Sequence, residues 1–215
     1  MGNSYLRQMS LSDEPYTLIR NRFDEPKVRI PDRLPIQISK VKDILPHDLT
    51  QKRAGVIVYK LIKDKIFMGL GIDSQHGSLT DFSGGIKSSD RDVIAGGLRE
   101  FNEETLGIFG SIDPERVNNS IAVYSQDMMI IFLKVEGDII RYSLEFKTKT
   151  KSHDLSGLEV KNIPWISKES FYEKIERGDV NQVYHRLYNF IRLARIHYGD
   201  FIYSLVYQEV DSNPG

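Results

Sequence analysis

The sequence predicts an α/β protein in which a mixed β-sheet lies between helices, and three observations carry that expectation. Short β-branched and aromatic runs outnumber helical patterns. Helical patterns stand both before and after a block of strands, so helices are expected on both faces of the sheet. At 215 residues the chain is long enough for one well-buried core with an appendage but short for two full domains.

Taken in order, residues 1–50 read as an N-terminal arm or small cap. The stretch EPYTLIRNRFDEPKVRIPDRLP, with Pro15, Pro26, Pro31 and Pro35, breaks any helix and leaves short extended pieces such as KVRI and PIQISKV. Residues 51–215 form the main domain. AGVIVYKLIKDKIFMGLGI is two apolar runs around a polar KDK break and predicts a hairpin. SLTDFSGGIK gives a short strand ending at Gly84 and Gly85. Asp90 or Asp92 then caps a helix through VIAGGLREFNEETLG, whose interior Gly96 and Gly97 point to close packing. SIAVYSQ and MMIIFLKVEG read as strands, and RYSLEFKTKT as another. GLEVKNIPWISKESFYEKI passes from a strand through Pro164 to a helix starting near Ser167 or Glu169. A C-terminal helical extension over about 180–198 follows from Val183, Leu187, Phe190, Ile191 and Ala194 at spacings of three and four.

Composition excludes several classes. With 29 basic and 30 acidic residues the net charge is -1, so no global field favours nucleic acid or a membrane surface. The absence of cysteine removes disulfides, thiolate metal sites and thiol nucleophiles. No run approaches the roughly 18 apolar residues of a membrane span, and the polar start has no signal-peptide core. Leu6 stands where a myristoylation motif wants Ser or Thr. A cytoplasmic protein without a membrane partner is expected, and its N-terminal arm is placed against the main domain or against a second copy in a homodimer.

The chemistry concentrates in DFSGGIKSSDRDVIAGGLREFNEETLGI. On a helix Glu100, Glu103 and Glu104 share a face, where like charges repel unless a hard cation or solvent offsets them. Magnesium takes oxygen ligands and combines a few carboxylates with waters and phosphate oxygens. A glycine pair directly after a strand lets the backbone approach a phosphate, and Lys87 is placed to hold a phosphate oxygen.

This stretch resembles the signature of the Nudix hydrolases: a glycine, five residues, Glu, seven residues, then Arg-Glu-apolar-x-Glu-Glu-x-Gly-apolar. Gly85 takes the first glycine, Arg99 the arginine, Glu100 the next acid, Phe101 the apolar place, and Glu103 and Glu104 the paired acids. With the flanking strands the resemblance covers about residues 54–175. Two positions depart from it. The solitary Glu falls on Arg91, flanked by Asp90 and Asp92, and a one-residue slip of the loop would let either aspartate pair with Arg99. The terminal Gly falls on Leu106, with Gly107 one place later, which predicts a helix one residue longer.

The resemblance implies a Nudix-like α/β/α sandwich and hydrolysis of a diphosphate linkage in a nucleoside-diphosphate-linked compound. It implies magnesium or manganese bound through Glu100, Glu103 and Glu104. One of these acids, or the loop acid Glu159, deprotonates the attacking water, with Asp154 as its rival.

For the substrate, a small nucleotide is the first expectation. Lys147, Lys149 and Lys151 would line one side of a strand and suit the phosphates of a capped RNA. Arg186, Arg192 and Arg195 extend that surface, though residues 140–215 carry eleven basic and ten acidic residues. Trp165, Tyr124 and Tyr142 are candidates for stacking on a base. Replacement of the signature Glu by Arg91 keeps a third reading open, a catalytically silent nucleotide-binding or protein-interaction module.

Overall fold

The structure is a computed structural model that describes residues 16–20, 26–31, 36–152, 158–178, 181–203 and 205. It divides into two compact units, Met1–Pro35 and Ile36–Gly215. In the first, β1 (Tyr16–Arg20) and β2 (Pro26–Pro31) pair antiparallel with a register shift at Ile19/Arg20.

The second unit is built on a mixed sheet of β3 (Gln37–Lys40), β4 (Arg53–Ile62), β5 (Lys65–Gly69), β8 (Phe82–Gly85), β9 (Ile121–Tyr124), β10 (Met128–Lys134) and β12 (Trp165–Ser167). Its order is β12-β5-β4-β10-β9-β3. The apolar run of β4 is the axis. One edge pairs parallel with β10 from Arg53 to Tyr59. The other is shared, its first half bonding antiparallel to β8 and its second half to β5. Both hairpin strands expected around KDK are present, and Lys63 and Asp64 turn the chain with positive φ. Gln37–Lys40 lies within the stretch expected to form an arm, yet it supplies the edge strand beside β9. A smaller sheet joins β6 (Gly71–Asp73) to β7 (Leu79–Thr80) and β11 (Val160–Asn162).

Helices cover both faces, as predicted. One side of β4 packs Ala54, Val56 and Val58 against α1 (Val93–Glu104), α2 (Pro114–Asn119) and α3 (Ile139–Ser152) through Val93, Phe101, Val117 and Phe146. The other packs Ile57 and Tyr59 in a cluster with α4 (Lys168–Glu176) and α5 (His185–Tyr198), which contribute Phe171, Ile175, Leu187, Phe190 and Ile191. Phe82, Phe132, Phe146 and Phe171 are fully buried, each contributing on the order of 2–3 kcal/mol. Asp92 caps α1 by accepting from Ala95 N at 2.7 Å, and Ser167 caps α4 by accepting from Ser170 N at 3.1 Å.

Three expectations are corrected. RYSLEFKTKT is not a strand but most of α3. Asp138 accepts from Ile140 N at 2.7 Å and Arg141 N at 3.2 Å, which supplies a helix start. Tyr142 and Phe146, four residues apart, give α3 its packed face. At about 100° per residue, Lys147 and Lys151 share a side of α3 and Lys149 does not. Lys149 instead reaches Leu106 O at 2.9 Å. The final helix starts at His185 and not near residue 180, because Val183 bridges to Leu79 beside β7 and the backbone there is committed to that pairing. Finally, α1 does not run one residue longer. It ends at Glu104, and Leu106 itself adopts the left-handed conformation (φ 54°), followed by Gly107 (φ 64°). A leucine held there costs about 1–2 kcal/mol relative to glycine.

Candidate active site

The two glycines of β8 play different parts. A Cβ on Gly84 would stand 2.2 Å from the carboxyl carbon of Glu100, so the bare backbone is what lets that acid lie across the strand. A Cβ on Gly85 would meet nothing within 4 Å. On α1, Gly97 lets the helix settle onto β4, since its Cβ would come within 3.0 Å of Ala54 Cβ. Gly96 leaves room for Asp90, whose Oδ2 would lie 2.8 Å from an added Cβ.

Arg99 is the hub. Its Nε donates to Asp90 Oδ1 at 2.8 Å and its Nη2 to Asp90 Oδ2 at 3.0 Å and to Gly85 O at 3.0 Å. Nη1 donates to Glu100 Oε1 at 2.5 Å and to Glu103 Oε2 at 3.2 Å. Of the two acids flanking Arg91, Asp90 therefore pairs with the arginine, while Asp92 caps the helix. Arg91 is exposed and, among the described residues, pairs locally with Asp92 at 2.8 Å. Asp90 also accepts from Lys87 N at 2.7 Å. The Arg99 hydrogen bonds first, then the Lys87 amide, bring its carboxyl down to about 2.

The three glutamates do not share one environment. Glu100 and Glu103 divide the Arg99 guanidinium, and the Lys87 ammonium lies 3.9 Å from Glu103 Oε1. Glu104 turns inward, 9% exposed, with Oε2 lacking a hydrogen-bond partner among the described residues. Burial first, then the charges of Asp81, Glu159 and Glu100, push its carboxyl up to about 9. Glu159, exposed and just before β11, approaches Glu104 closely enough to hydrogen-bond it. Among the described residues no three acidic or histidine side chains close around one point as a metal cage. The donor set nevertheless fits a hard cation: it is all carboxylate oxygen, and Glu104 carries an orphaned oxygen among like charges.

Asp81 was missed on the sequence. It is 3% exposed, its Oδ2 is without a partner, and burial raises its pKa. The available signal was an acid set between the apolar Leu79 and Phe82 of a short strand-like run.

Other candidates are dispersed. Tyr124 is buried in the sheet and donates to Gln37 Oε1 at 2.8 Å, which removes it from any stacking role. Trp165 and Tyr142 stack on each other with centroids 6.3 Å apart, continuing a row through Phe109 and Phe101. Arg195 lies over the Tyr172 ring at 3.9 Å and pairs with Glu176 at 2.7 Å, so it is not part of a free basic surface. Asp154 lies outside the described residues. No helix among them is long and apolar enough to cross a membrane.

Compared with the profiles of known families, the chain matches none. No curated protein matches it in sequence. Among solved structures it is similar to a C. elegans Ap4A hydrolase, at 15% identity over 69% of this chain and 98% of that one, with a TM-score of 0.39. A binary complex of a C. elegans Ap4A hydrolase gives 17% identity over 70% and 99%, with a TM-score of 0.40. At these values the likeness is slight, and the site stands on its own residues.

Proposed function

We propose that the chain is a Nudix-type hydrolase that cleaves a diphosphate linkage in a small nucleotide-type substrate with the help of magnesium or manganese. The observation that carries this reading is the inward-turned Glu104, with an unpartnered oxygen, on the same strand-loop-helix as Gly84, Gly85, Arg99, Glu100 and Glu103. Glu100, Glu103 and Glu104 would hold the cation, which when bound polarises phosphoryl oxygens and acidifies water.

The chain's own groups supply the rest. Arg99 orients Glu100 and Glu103 and ties the loop through Asp90 and Gly85 O. Lys87, half-exposed beside Glu103, neutralises a phosphate oxygen. Glu159 accepts the proton of the attacking water as its oxygen bonds to phosphorus. The bridging P–O bond then breaks and its electrons leave with the departing phosphate.

The capped-RNA reading loses its main support, because the three lysines do not line one strand. The silent-module reading loses its support as well, since Asp90 provides the pairing that Arg91 does not. The test is a panel of nucleotide sugars, dinucleoside polyphosphates and nucleoside diphosphate compounds with magnesium or manganese, run beside Glu103→Gln and Glu104→Gln. Turnover of at least one compound that falls a hundredfold or more in both variants is expected; no turnover of any, or variants equal to the parent, refutes the proposal.

A further inference from the structure

Asp81 stands just before β8, between Thr80 and Phe82, 3% exposed, and its local partners leave one carboxylate oxygen unsatisfied. The Ser83 side chain and the Asp81 backbone amide lie within hydrogen-bonding reach of its carboxyl, the Thr80 hydroxyl donates to Oδ1 at a long 3.5 Å, and among the described residues Oδ2 receives no hydrogen bond. Arg53 lowers its pKa electrostatically, but the Arg53 Nη2 is turned to Ser83 O at 3.2 Å. Gly55 on β4 keeps space open beside it, since a Cβ there would lie 2.8 Å from Asp81 Oδ2 and 2.3 Å from Ser83 Cβ. Glu104 faces the same problem, buried with Oε2 unpartnered, and Asp81 is the foremost of the neighbouring charges that act on it. Two buried acids thus lie near enough to influence each other, each with an orphaned oxygen among the described residues. Without a counter-ion, burial favours the neutral form of such carboxyls; a cation between them would let both ionise.

We propose that Asp81 is a further ligand of the divalent cation, held on the inner side of the site beside Glu104. The inference rests on the reading of the site given above and extends it to a residue outside the Gly85–Gly107 signature. A cation between Asp81 and Glu104 turns their repulsion into attraction and satisfies both orphaned oxygens at once. Glu100 and Glu103 would complete the ligand set from the outer side, oriented by their hydrogen bonds to Arg99.

The experiment uses the full chain and Mn2+ alone as the probe, without substrate, followed by calorimetric titration and by the electron paramagnetic resonance of free Mn2+. Asp81→Asn keeps the side-chain volume and removes the charge. Its dissociation constant for Mn2+ is expected to rise more than fivefold; its metal-free melting temperature rises, and the Mn2+-induced increase shrinks. A purely structural Asp81 would give the opposite pattern, a lower melting temperature with Mn2+ affinity changed less than fivefold, and that result overturns the proposal. If the parent binds Mn2+ and Asp81→Asn binds it equally, only the role of Asp81 falls. If the parent binds no Mn2+ and hydrolyses no member of the substrate panel, the metal reading falls and this inference with it. Should the amide variant fail to fold, Asp81→Ser is measured against the same criteria.

Discussion

Asp90 accepts two hydrogen bonds from Arg99, at 2.8 Å from Nε and 3.0 Å from Nη2, and so joins the loop after β8 to the middle of α1. The same guanidinium holds Glu100 and Glu103, so the aspartate fixes the orientation of two acids it does not touch. Asp90→Ala is expected to lower hydrolysis by about 10- to 100-fold, because misplacing a reacting group by about 1 Å costs rate on that scale. Arg91→Ala, at an exposed side chain, is expected to leave rate and melting temperature unchanged. Because the Asp90 carboxyl is depressed in the folded protein, the stability it contributes is present above its ordinary pKa and is lost as pH falls toward about 2. Rate assays of the two variants, with acid unfolding of the parent, check both statements; equal rates in Asp90→Ala and the parent would remove Asp90 from the bracing role.

The adjacent glycines separate by the same geometric reasoning. Gly84→Ala places a Cβ 2.2 Å from the Glu100 carboxyl carbon, forcing that side chain off its position between β8 and Arg99. A loss of about 1–3 kcal/mol is expected, on the scale of overpacking. Gly85→Ala meets open space and no positive φ, so its stability stays within about 1 kcal/mol of the parent. Urea unfolding of the two variants distinguishes them, and equal stabilities would contradict the close approach of Glu100 to the strand.

How much was legible in the sequence depended on which signals competed. An aspartate cap at position 90 or 92, close packing at Gly96 and Gly97 and the strand ending in Gly84 and Gly85 follow from local rules that tertiary structure had no reason to override; the fold selects Asp92 as the cap and leaves Asp90 for Arg99. In α3 two periods overlapped: the alternation of Lys147, Thr148, Lys149, Thr150 and Lys151 read as a strand, while Tyr142 and Phe146 at a spacing of four carried the buried face. Burial of the Tyr142–Phe146 face decided the outcome, and the alternating polar residues, half-buried or exposed, carried no register of their own. At the site, spacing along α1 brought Glu100, Glu103 and Glu104 to one side, but not that Arg99 would occupy two of them while the third turned inward. Asp81 was invisible for a different reason, because its neighbour Glu104 is distant in sequence and only the folded sheet brings their charges together.

The elevated carboxyl of Glu104 gives the metal-free protein a distinctive pH profile. A buried acid that stays protonated when folded but ionises when unfolded contributes stability fully present below its ordinary pKa of 4.5. That contribution is lost as pH rises from there through about 9. The melting temperature in chelator is therefore expected to fall between about pH 5 and pH 9, and Glu104→Gln to flatten that decline while abolishing hydrolysis. Thermal melts at five pH values check it; a Gln variant with the same slope as the parent would show that another group carries the dependence.

On the opposite face of the sheet, Lys168 is nearly buried and donates to Asp200 Oδ2 at 2.5 Å, with its ammonium 5.0 Å from the centre of the Tyr203 ring. The two partners differ in exposure, with side chains 10% and 42% exposed, and this predicts an asymmetry. Lys168→Met leaves an aspartate that water reaches, and an apolar chain of similar length fills the space, so a loss of about 1 kcal/mol is expected. Asp200→Ala leaves a charged lysine in a largely dry position with only the longer contact to the exposed Glu169 at 3.8 Å, and removing the main partner of a buried charge costs more, on the order of 2–3 kcal/mol. Neither residue reaches the Arg99 hub, so the rate per folded molecule should be unchanged in both. Urea unfolding paired with hydrolysis assays decides the matter: equal losses would mean that Lys168 is hydrated in solution, whereas a fall in rate without a fall in stability would connect this pair to the site across the sheet.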